Sequence, residues 1–112
     1  MAFETDNEFI IVGNKLTKYN GDAAHVVIPE GVEIIERGCF FRKSLKTITI
    51  PPGVKEVREA FMQCKNLEEI KLPDIKAIDS DAFHGCSSLK RVELGSELSE
   101  MGWNVSNGCS HL

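Results

Sequence analysis

The feature that most constrains the fold of this chain is a unit that recurs at a constant interval along most of the sequence. Pro29, Pro51 and Pro73 mark the period, because they are evenly spaced. Three leucines keep the same spacing: Leu45, Leu67 and Leu89. Self-similarity at a fixed period of this length is typical of a solenoid, in which each unit forms one turn that stacks on its neighbours. The period therefore predicts the architecture before any single strand is assigned.

The second unit shows the internal order that the others share. It opens with Ile48-Thr49-Ile50, and such an apolar, variable, apolar triplet predicts a short strand with one buried face. Pro51 ends the strand, because proline lacks the N–H group that a continuing ladder needs. Val54 and Val57 then predict the opposite wall of the turn, and Phe61 predicts a buried aromatic column through the stacked turns.

The chain ahead of the repeats carries a different pattern. Two runs containing apolar residues, 9–12 and 16–19, flank the turn residues 13–15, and this arrangement around a short Gly/Asn turn predicts a β-hairpin. The first apolar face of a solenoid needs a cover, and terminal units are atypical for that reason. We therefore expect the hairpin to form an amino-terminal cap.

The predicted fold class is a mainly β repeat solenoid of about four 22-residue turns, with short parallel strands and an amino-terminal β-hairpin cap. The expected boundaries are 1–25 for the cap and 26–47, 48–69, 70–91 and 92–112 for the repeats.

The residues between positions 51 and 73 carry a specific motif: Pro-x-Gly-Val-x-x-Val, then Ala-Phe-x-x-Cys-x-x-Leu-x-x-Ile-x-Leu-Pro. This motif resembles the BspA-like branch of the leucine-rich repeats, and the resemblance extends over about 26–112. The segment 9–22 is also similar to the lead-in found before such repeats in bacterial proteins. The resemblance implies a right-handed coil and a non-enzymatic binding module. The family is known as cell-surface and adhesion modules in bacteria and some protozoa, and in proteins of unassigned role.

The last repeat departs from the motif. Gly95 replaces the proline and Ser106 replaces the phenylalanine, while Trp103 is the one tryptophan of the chain. We expect Trp103 to fold over the last turn as a cap, so that Trp103→Ala would increase self-association. The free edge of the strand at 92–94 predicts weak self-association through the carboxy-terminal end.

Charge and hydropathy exclude several classes of protein. The formal net charge of -4 and the pI near 5.4 argue against nucleic-acid and anionic-membrane partners, since both need a basic footprint. The apolar run 9–12 is far too short to span a bilayer, and residues 1–7 lack the pattern of a signal peptide. The expected location is the cytoplasm if the chain is complete as written; the alternative is a fragment of a bacterial cell-surface or secreted protein.

Three of the four cysteines share one repeat position: Cys64, Cys86 and Cys109. Stacked turns lie roughly 4.8 Å apart, so neighbouring cysteines in this column meet the Cα distance of a disulfide. Side chains that point the same way rarely meet its dihedral angle, however, and three cysteines leave one unpaired. Buried apolar thiols are therefore the favoured interpretation, and a structural disulfide is the alternative.

The outward positions of the predicted strands are where leucine-rich repeats usually bind. Most of them alternate in charge from turn to turn: Lys46 with Glu68 and Lys90, Glu69 with Arg91, and Lys71 with Glu93. Such pairs predict a self-neutralising, solvated face. The less charged stretch combines His25 and Val27 with Thr47 and Thr49. These four residues are the predicted partner-binding positions.

No catalytic, cofactor-binding or metal-binding residues are predicted. His25, His84 and His111 lie on separate turns, and no spacing forces a nucleophile and a base together. The short pairs 84–86 and 109–111 lack the Cys-x-x-Cys spacing that makes a zinc site convincing. Two functions stay open: a non-enzymatic module that binds a protein or a glycan, and a structural spacer or capping fragment of a longer repeat array.

Overall fold

The structure is a computed structural model that describes residues 8–112. Within this range the chain forms ten short strands and no helix, so no helix there is long and apolar enough to cross a membrane. In chain order the strands are β1 (Phe9–Val12), β2 (Lys15–Tyr19), β3 (His25–Val27), β4 (Ile34–Ile35), β5 (Thr47–Thr49), β6 (Glu56–Val57), β7 (Glu69–Leu72), β8 (Ala77–Ile78), β9 (Arg91–Leu94) and β10 (Glu100–Met101).

Two sheets run along the stack of turns. One has six strands in the order β1-β2-β4-β6-β8-β10, and the other has four in the order β3-β5-β7-β9. Every pairing is parallel except the antiparallel pairing of β1 with β2. Each repeat thus contributes one strand to each sheet, which confirms the predicted solenoid of about four turns.

The strand registers reproduce the sequence period. In the four-stranded sheet, His25 lies opposite Thr47, Thr47 opposite Glu69, and Glu69 opposite Arg91, so paired residues are always one full period apart. In the six-stranded sheet the spacing varies, because Ile78 pairs with Val57 at slightly less than a period and with Met101 at slightly more. These one-residue differences from the period fall in the connecting turns. They therefore do not disturb the alternation of buried and exposed side chains along the strands.

The predicted amino-terminal hairpin is confirmed for the described residues, and it is part of the six-stranded sheet. Strand β2 pairs in parallel with β4, so that Lys15 lies opposite Ile34 and Leu16 opposite Ile35. Leu16 and Tyr19 are fully buried. The hairpin therefore covers the first turn by extending its sheet and its core. Residues 1–7 of the predicted cap lie outside the described residues.

An aromatic column forms the centre of the core. Its rings lie 5.1 to 5.6 Å apart, centroid to centroid, in the order Phe9, Tyr19, Phe40, Phe61 and Phe83. The last three rings stack nearly parallel, at 4° and 16°, and all three are buried. The predicted aromatic column through the stacked turns is confirmed. Large apolar area and offset aromatic contact both stabilise this column.

The cysteine column consists of free thiols, as favoured from the sequence, and the disulfide alternative is wrong. Each thiol donates a hydrogen bond to the carbonyl oxygen of a phenylalanine about one turn earlier, at 2.9 Å from Cys64, 3.0 Å from Cys86 and 3.1 Å from Cys109. The acceptors are Phe40, Phe61 and Phe83. Burial raises the pKa of the Cys39 and Cys86 thiols to about 12, and it raises the pKa of Cys64 as well.

The prediction that Trp103 caps the last turn is wrong, since its side chain is 83% exposed. The physical reason is the backbone: the Trp103 N–H donates to Ser80 Oγ at 2.9 Å, and its carbonyl accepts from the Asp81 N–H at 2.9 Å. Gly102 does not loosen the segment. It packs so closely on Ser80 that a Cβ at this position would collide with the Ser80 backbone.

The apolar residues of the last turn are less buried than Val54 and Val57, which form the same wall in the second repeat. Leu98 is half-buried and Met101 is 54% exposed, although Met101 occupies the position that Ile78 fills in the core one turn earlier. Within the described chain, no further turn covers this side of β9 and β10. The repeat motif places these side chains correctly, but burial depends on a neighbour at both sides of the turn.

Candidate binding face

The strand face is the outward surface of the four-stranded sheet, β3-β5-β7-β9. Its geometry follows from the alternation of side chains along each strand. The central residues Val26, Ile48 and Ile70 point into the core and are buried. The residues on either side of them point outward, and parallel pairing with a constant register aligns them in two columns.

The four predicted partner-binding residues lie together on this face. His25 lies opposite Thr47 and Val27 opposite Thr49, on the neighbouring strands β3 and β5. A hydrogen bond of 2.7 Å joins His25 Nδ1 and Thr47 Oγ1. Val27 is 65% exposed. The structure thus brings these residues into one patch without acidic, lysine or arginine side chains, which we call the His–Thr patch. Whether it binds a partner stays a prediction.

The charge pairing predicted for the strand face is confirmed in part: Lys71 pairs with Glu93 and Lys46 with Glu68, whereas Arg91 pairs with Glu93 in place of the predicted Glu69. Glu93 Oε2 lies 4.0 Å from Lys71 Nζ and 3.1 Å from Arg91 Nε. Lys46 Nζ lies 3.8 Å from Glu68 Oε2 in the column beside them. Exposed pairs of this kind contribute only about 0.2–1 kcal/mol each to stability. Their main effect is to leave little net charge for a charged ligand.

The outer wall formed by the six-stranded sheet carries a similar network. Arg58 lies between two glutamates, with Nη1 3.1 Å from Glu36 Oε1 and Nε 2.9 Å from Glu56 Oε2. Its hydrogen bond to Glu56 raises the pKa of Arg58. This wall therefore also neutralises part of its own charge.

A shallow groove of about 680 Å³ crosses the strand face, and sequence reasoning missed it. Thr47, Thr49 and Lys71 stand along it, and Ile50 and Leu72 form part of its floor. The groove begins at the His–Thr patch and continues into the charged half. Its depth depends on how the turns after the strands stack, which no residue pattern in a single repeat encodes.

The three histidines do not form a shared site. Within residues 8–112, no group of three or more His, Cys, Asp or Glu side chains is placed to hold a metal ion. His84 Nδ1 lies 3.7 Å from Asp81 Oδ1 and 3.3 Å from Asn107 Nδ2. His111 donates from Nδ1 to the Ser87 carbonyl oxygen at 2.8 Å. Each ring is held by neighbours on its own or an adjacent turn.

The fold is a solenoid of the leucine-rich repeat type. It has parallel strands stacked at a nearly constant period, a central aromatic column and an exposed strand face. The sequence profile of the BspA type leucine rich repeat region matches residues 11–112 in six copies. The chain therefore belongs to the BspA-type leucine-rich repeat family. The match begins within the hairpin, consistent with the parallel pairing of β2 and β4.

A search of solved structures gives a similar protein with the same kind of repeat. The leucine rich repeat protein of Treponema pallidum is 17% identical, and the alignment covers 88% of this chain and 82% of that protein, with a TM-score of 0.31. A score this low supports no argument about function. No curated protein matches the chain significantly. Family membership indicates an interaction-type repeat module of a typically non-enzymatic class.

Proposed function

We propose that the chain is a non-enzymatic interaction module that binds another protein or a glycan through the His–Thr patch. The observation that carries the proposal is the exposure of Val27, which is 65% exposed beside the hydrogen-bonded pair of His25 and Thr47. An apolar side chain rimmed by hydroxyl and imidazole groups is a suitable centre for a small contact, because it can be desolvated at little cost while the rim forms hydrogen bonds.

The distribution of charge supports this half of the strand face over the other half. Binding at the carboxy-terminal half would have to desolvate or replace the ion pairs of Glu93 with Lys71 and Arg91. Among residues 8–112, no ion pair involves a residue of the His–Thr patch. The net charge of -4 supports neither a nucleic acid nor an anionic membrane as the partner.

The test is a selection against the intact chain, with a displayed peptide library for protein partners and a panel of immobilised neutral glycans for the other class. Binders selected on the parent are then measured against Val27→Asp. We expect Val27→Asp to weaken them by about tenfold or more, because a charge would have to be buried at the centre of the contact.

Val12→Asp is the matched control, since Val12 is a strand valine 63% exposed on the hairpin. Both side chains face solvent, so both variants should melt near the parent temperature. Binders that tolerate Val27→Asp, or that Val12→Asp weakens equally, would contradict the assignment of binding to the His–Thr patch.

A second candidate function is structural, and the open side of the last turn favours it. Leu94, Met101 and Leu112 are 39%, 54% and 55% exposed. Their counterparts one turn earlier are buried: Leu72, Ile78 and Leu89. A further turn or a second copy of the chain would cover these residues and pair with the free edges of β9 and β10.

This second candidate predicts weak self-association through the carboxy-terminal edge. Sedimentation across a concentration series should show a rising average mass for the parent and a constant mass for Met101→Lys. Val12→Lys is again the control and should behave like the parent. A constant mass for the parent would remove self-association from the structural candidate, and a rising mass in Met101→Lys would place the contact elsewhere.

A further inference from the structure

One edge of the solenoid contains no acidic residue. We call it the corner; it consists of the segments that lead from the aromatic column back to the strand face, at 41–44, 62–66, 84–88 and 107–111. The chain as a whole carries 17 acidic residues against 13 lysines and arginines, so a run without acids on all four turns stands out. In their place the corner carries basic, hydroxyl and amide side chains.

Three cations stand together on the first two turns of the corner. Arg42, Lys43 and Lys65 line a groove of about 430 Å³ with Ser44, Gln63 and Asn66. Within residues 8–112, none of the three cations makes an ion pair. Asp81 lies in an adjoining depression, but its carboxylate faces His84 at 3.7 Å.

Aromatic rings hold two of these cations in place of carboxylates. The Arg42 guanidinium carbon lies 5.2 Å from the centroid of the Phe41 ring, and Lys43 Nζ lies 5.6 Å from that of Tyr19. Cation–π contacts of this kind orient a cation without neutralising its charge. The groove is therefore positively charged and partly preorganised.

Backbone strain is a second, independent observation at the same place. Arg42 and Gln63 have φ angles of 60° and 63°, in the left-handed region that favours glycine. The equivalent residues of the next two turns are Gly85 and Gly108. A left-handed conformation is unfavourable for a residue that carries a Cβ. The first two turns thus keep polar side chains where glycine would relieve strain, and strained residues of this kind are often found at binding sites.

We propose that this corner binds a short acidic segment of a partner protein. Carboxylates of an extended segment would pair with Arg42, Lys43 and Lys65, and the planar guanidinium of Arg42 can hold one of them bidentately. Ser44, Gln63 and Asn66 add donors for carboxylate or peptide oxygens. Phe41, which is 46% exposed beside Arg42, offers an apolar contact to a neighbouring side chain.

The size of the patch favours a short acidic segment over a long polyanion. Nucleic acids carry a charge every few ångströms and need a longer basic track. Here the basic track ends after two turns, because the next turns of the corner contribute serines, glycines and histidines. Lys46, which directly precedes β5, is already paired with Glu68 at 3.8 Å. The corner is also separate from the His–Thr patch, so a result that contradicts one proposal leaves the other unaffected.

The test measures binding of a fluorescein-labelled hexaglutamate peptide by anisotropy at low salt, with hexaglutamine, a heparin oligosaccharide and a short oligonucleotide as comparison probes. We expect hexaglutamate to bind more tightly than all three, and the binding to weaken as salt is added. Lys65→Glu should weaken binding by about fivefold or more, because it replaces an attraction with a repulsion. Lys76→Glu, the same charge change at an exposed lysine next to β8, should reduce binding much less.

Arg42→Gly separates binding from folding. Glycine relieves the left-handed strain at this position, so the variant should be at least as stable as the parent in urea denaturation while binding hexaglutamate more weakly. Equal losses in Lys65→Glu and Lys76→Glu would overturn the proposal, because they would show a non-specific charge effect. Two other results would also contradict the proposal. One is binding of the heparin oligosaccharide or the oligonucleotide as tight as that of the peptide, and the other is full affinity of Arg42→Gly for hexaglutamate.

Discussion

The ring of Tyr19 lies 5.2 Å, centroid to centroid, from the ring of Phe40, and this contact joins the amino-terminal hairpin to the first repeat. Both side chains are buried, and the Tyr19 hydroxyl accepts a hydrogen bond from the Ala23 N–H at 3.1 Å. The hairpin and the repeats therefore share one apolar core, and we expect them to unfold together.

The aromatic column should carry a large share of the stability. Phe83→Ala removes a buried ring that stacks on Phe61 at 5.6 Å and leaves a cavity, so it should cost on the order of 3–5 kcal/mol of unfolding free energy. Phe41→Ala is the control, because Phe41 is 46% exposed and lies outside the column. Urea denaturation would compare the two. Similar midpoints for both variants would contradict the core position of Phe83.

The thiols should react in an order set by burial. Cys109 is half-buried at the last turn, whereas Cys39, Cys64 and Cys86 are buried. A thiol reagent should therefore modify Cys109 first and the other three only as fast as the protein opens. Mass spectrometry of the modified protein would identify the sites. Because the thiols are free, added reductant should leave the melting temperature unchanged, and a marked drop would indicate a disulfide.

Stability should fall in alkaline solution because of the same thiols. Burial raises the pKa of Cys39 and Cys86 from 9.0 to about 12. Between these values the folded chain keeps thiol protons that the unfolded chain has released, so unfolding becomes more favourable as pH rises. The contribution is fully present below pH 9. Urea midpoints from pH 7 to 11 would measure it, and Cys86→Ala should show a shallower fall than the parent.

The repeat period predicted most of the fold, because burial in a solenoid is set by residue type at fixed positions. Leu45, Leu67 and Leu89 share one position and are all fully buried. What the pattern could not show is how the hairpin attaches. Tyr19 keeps nearly the repeat spacing, since it lies 21 residues before Phe40. Leu16 does not, because it lies only 19 residues before its partner Ile35, so its equivalence to a repeat residue appears only in the pairing of β2 with β4.

The two proposed binding surfaces differ in how well the sequence predicted them. The His–Thr patch follows from the register, since His25 and Thr47 are one period apart and face the same way. The corner requires more than the period. Arg42 sits next to Lys43 in sequence, but its left-handed backbone and its position over Phe41 are properties of the folded turn. Neither property has a signature in the residue pattern.

Gly102 lies next to Trp103, and its lack of a side chain permits close packing on Ser80. Gly102→Ala should therefore destabilise the protein by about 1–3 kcal/mol, as overpacking does elsewhere. Ser96→Ala, at an exposed position of the same turn, should have little effect in the same thermal denaturation experiment. Equal melting temperatures would show that the segment can move away from Ser80.

The exposed position of Trp103 gives the last prediction, and it reverses the expectation from the sequence. The side chain is 83% exposed, while hydrogen bonds to Ser80 and Asp81 hold the backbone. Trp103→Ala should change the unfolding free energy by no more than about 0.5 kcal/mol. It should lower any self-association, because it removes an exposed aromatic surface.

Fluorescence provides the direct measurement, since Trp103 is the one tryptophan of the chain. In the folded protein its emission should be quenched by iodide almost as efficiently as in the urea-unfolded chain, because solvent already reaches most of the ring. Ser80→Ala removes the hydroxyl that accepts from the Trp103 N–H and should cost about 1 kcal/mol without shielding the ring. Emission that is protected in the folded state, together with a large loss of stability in Trp103→Ala, would show that the ring packs on the last turn.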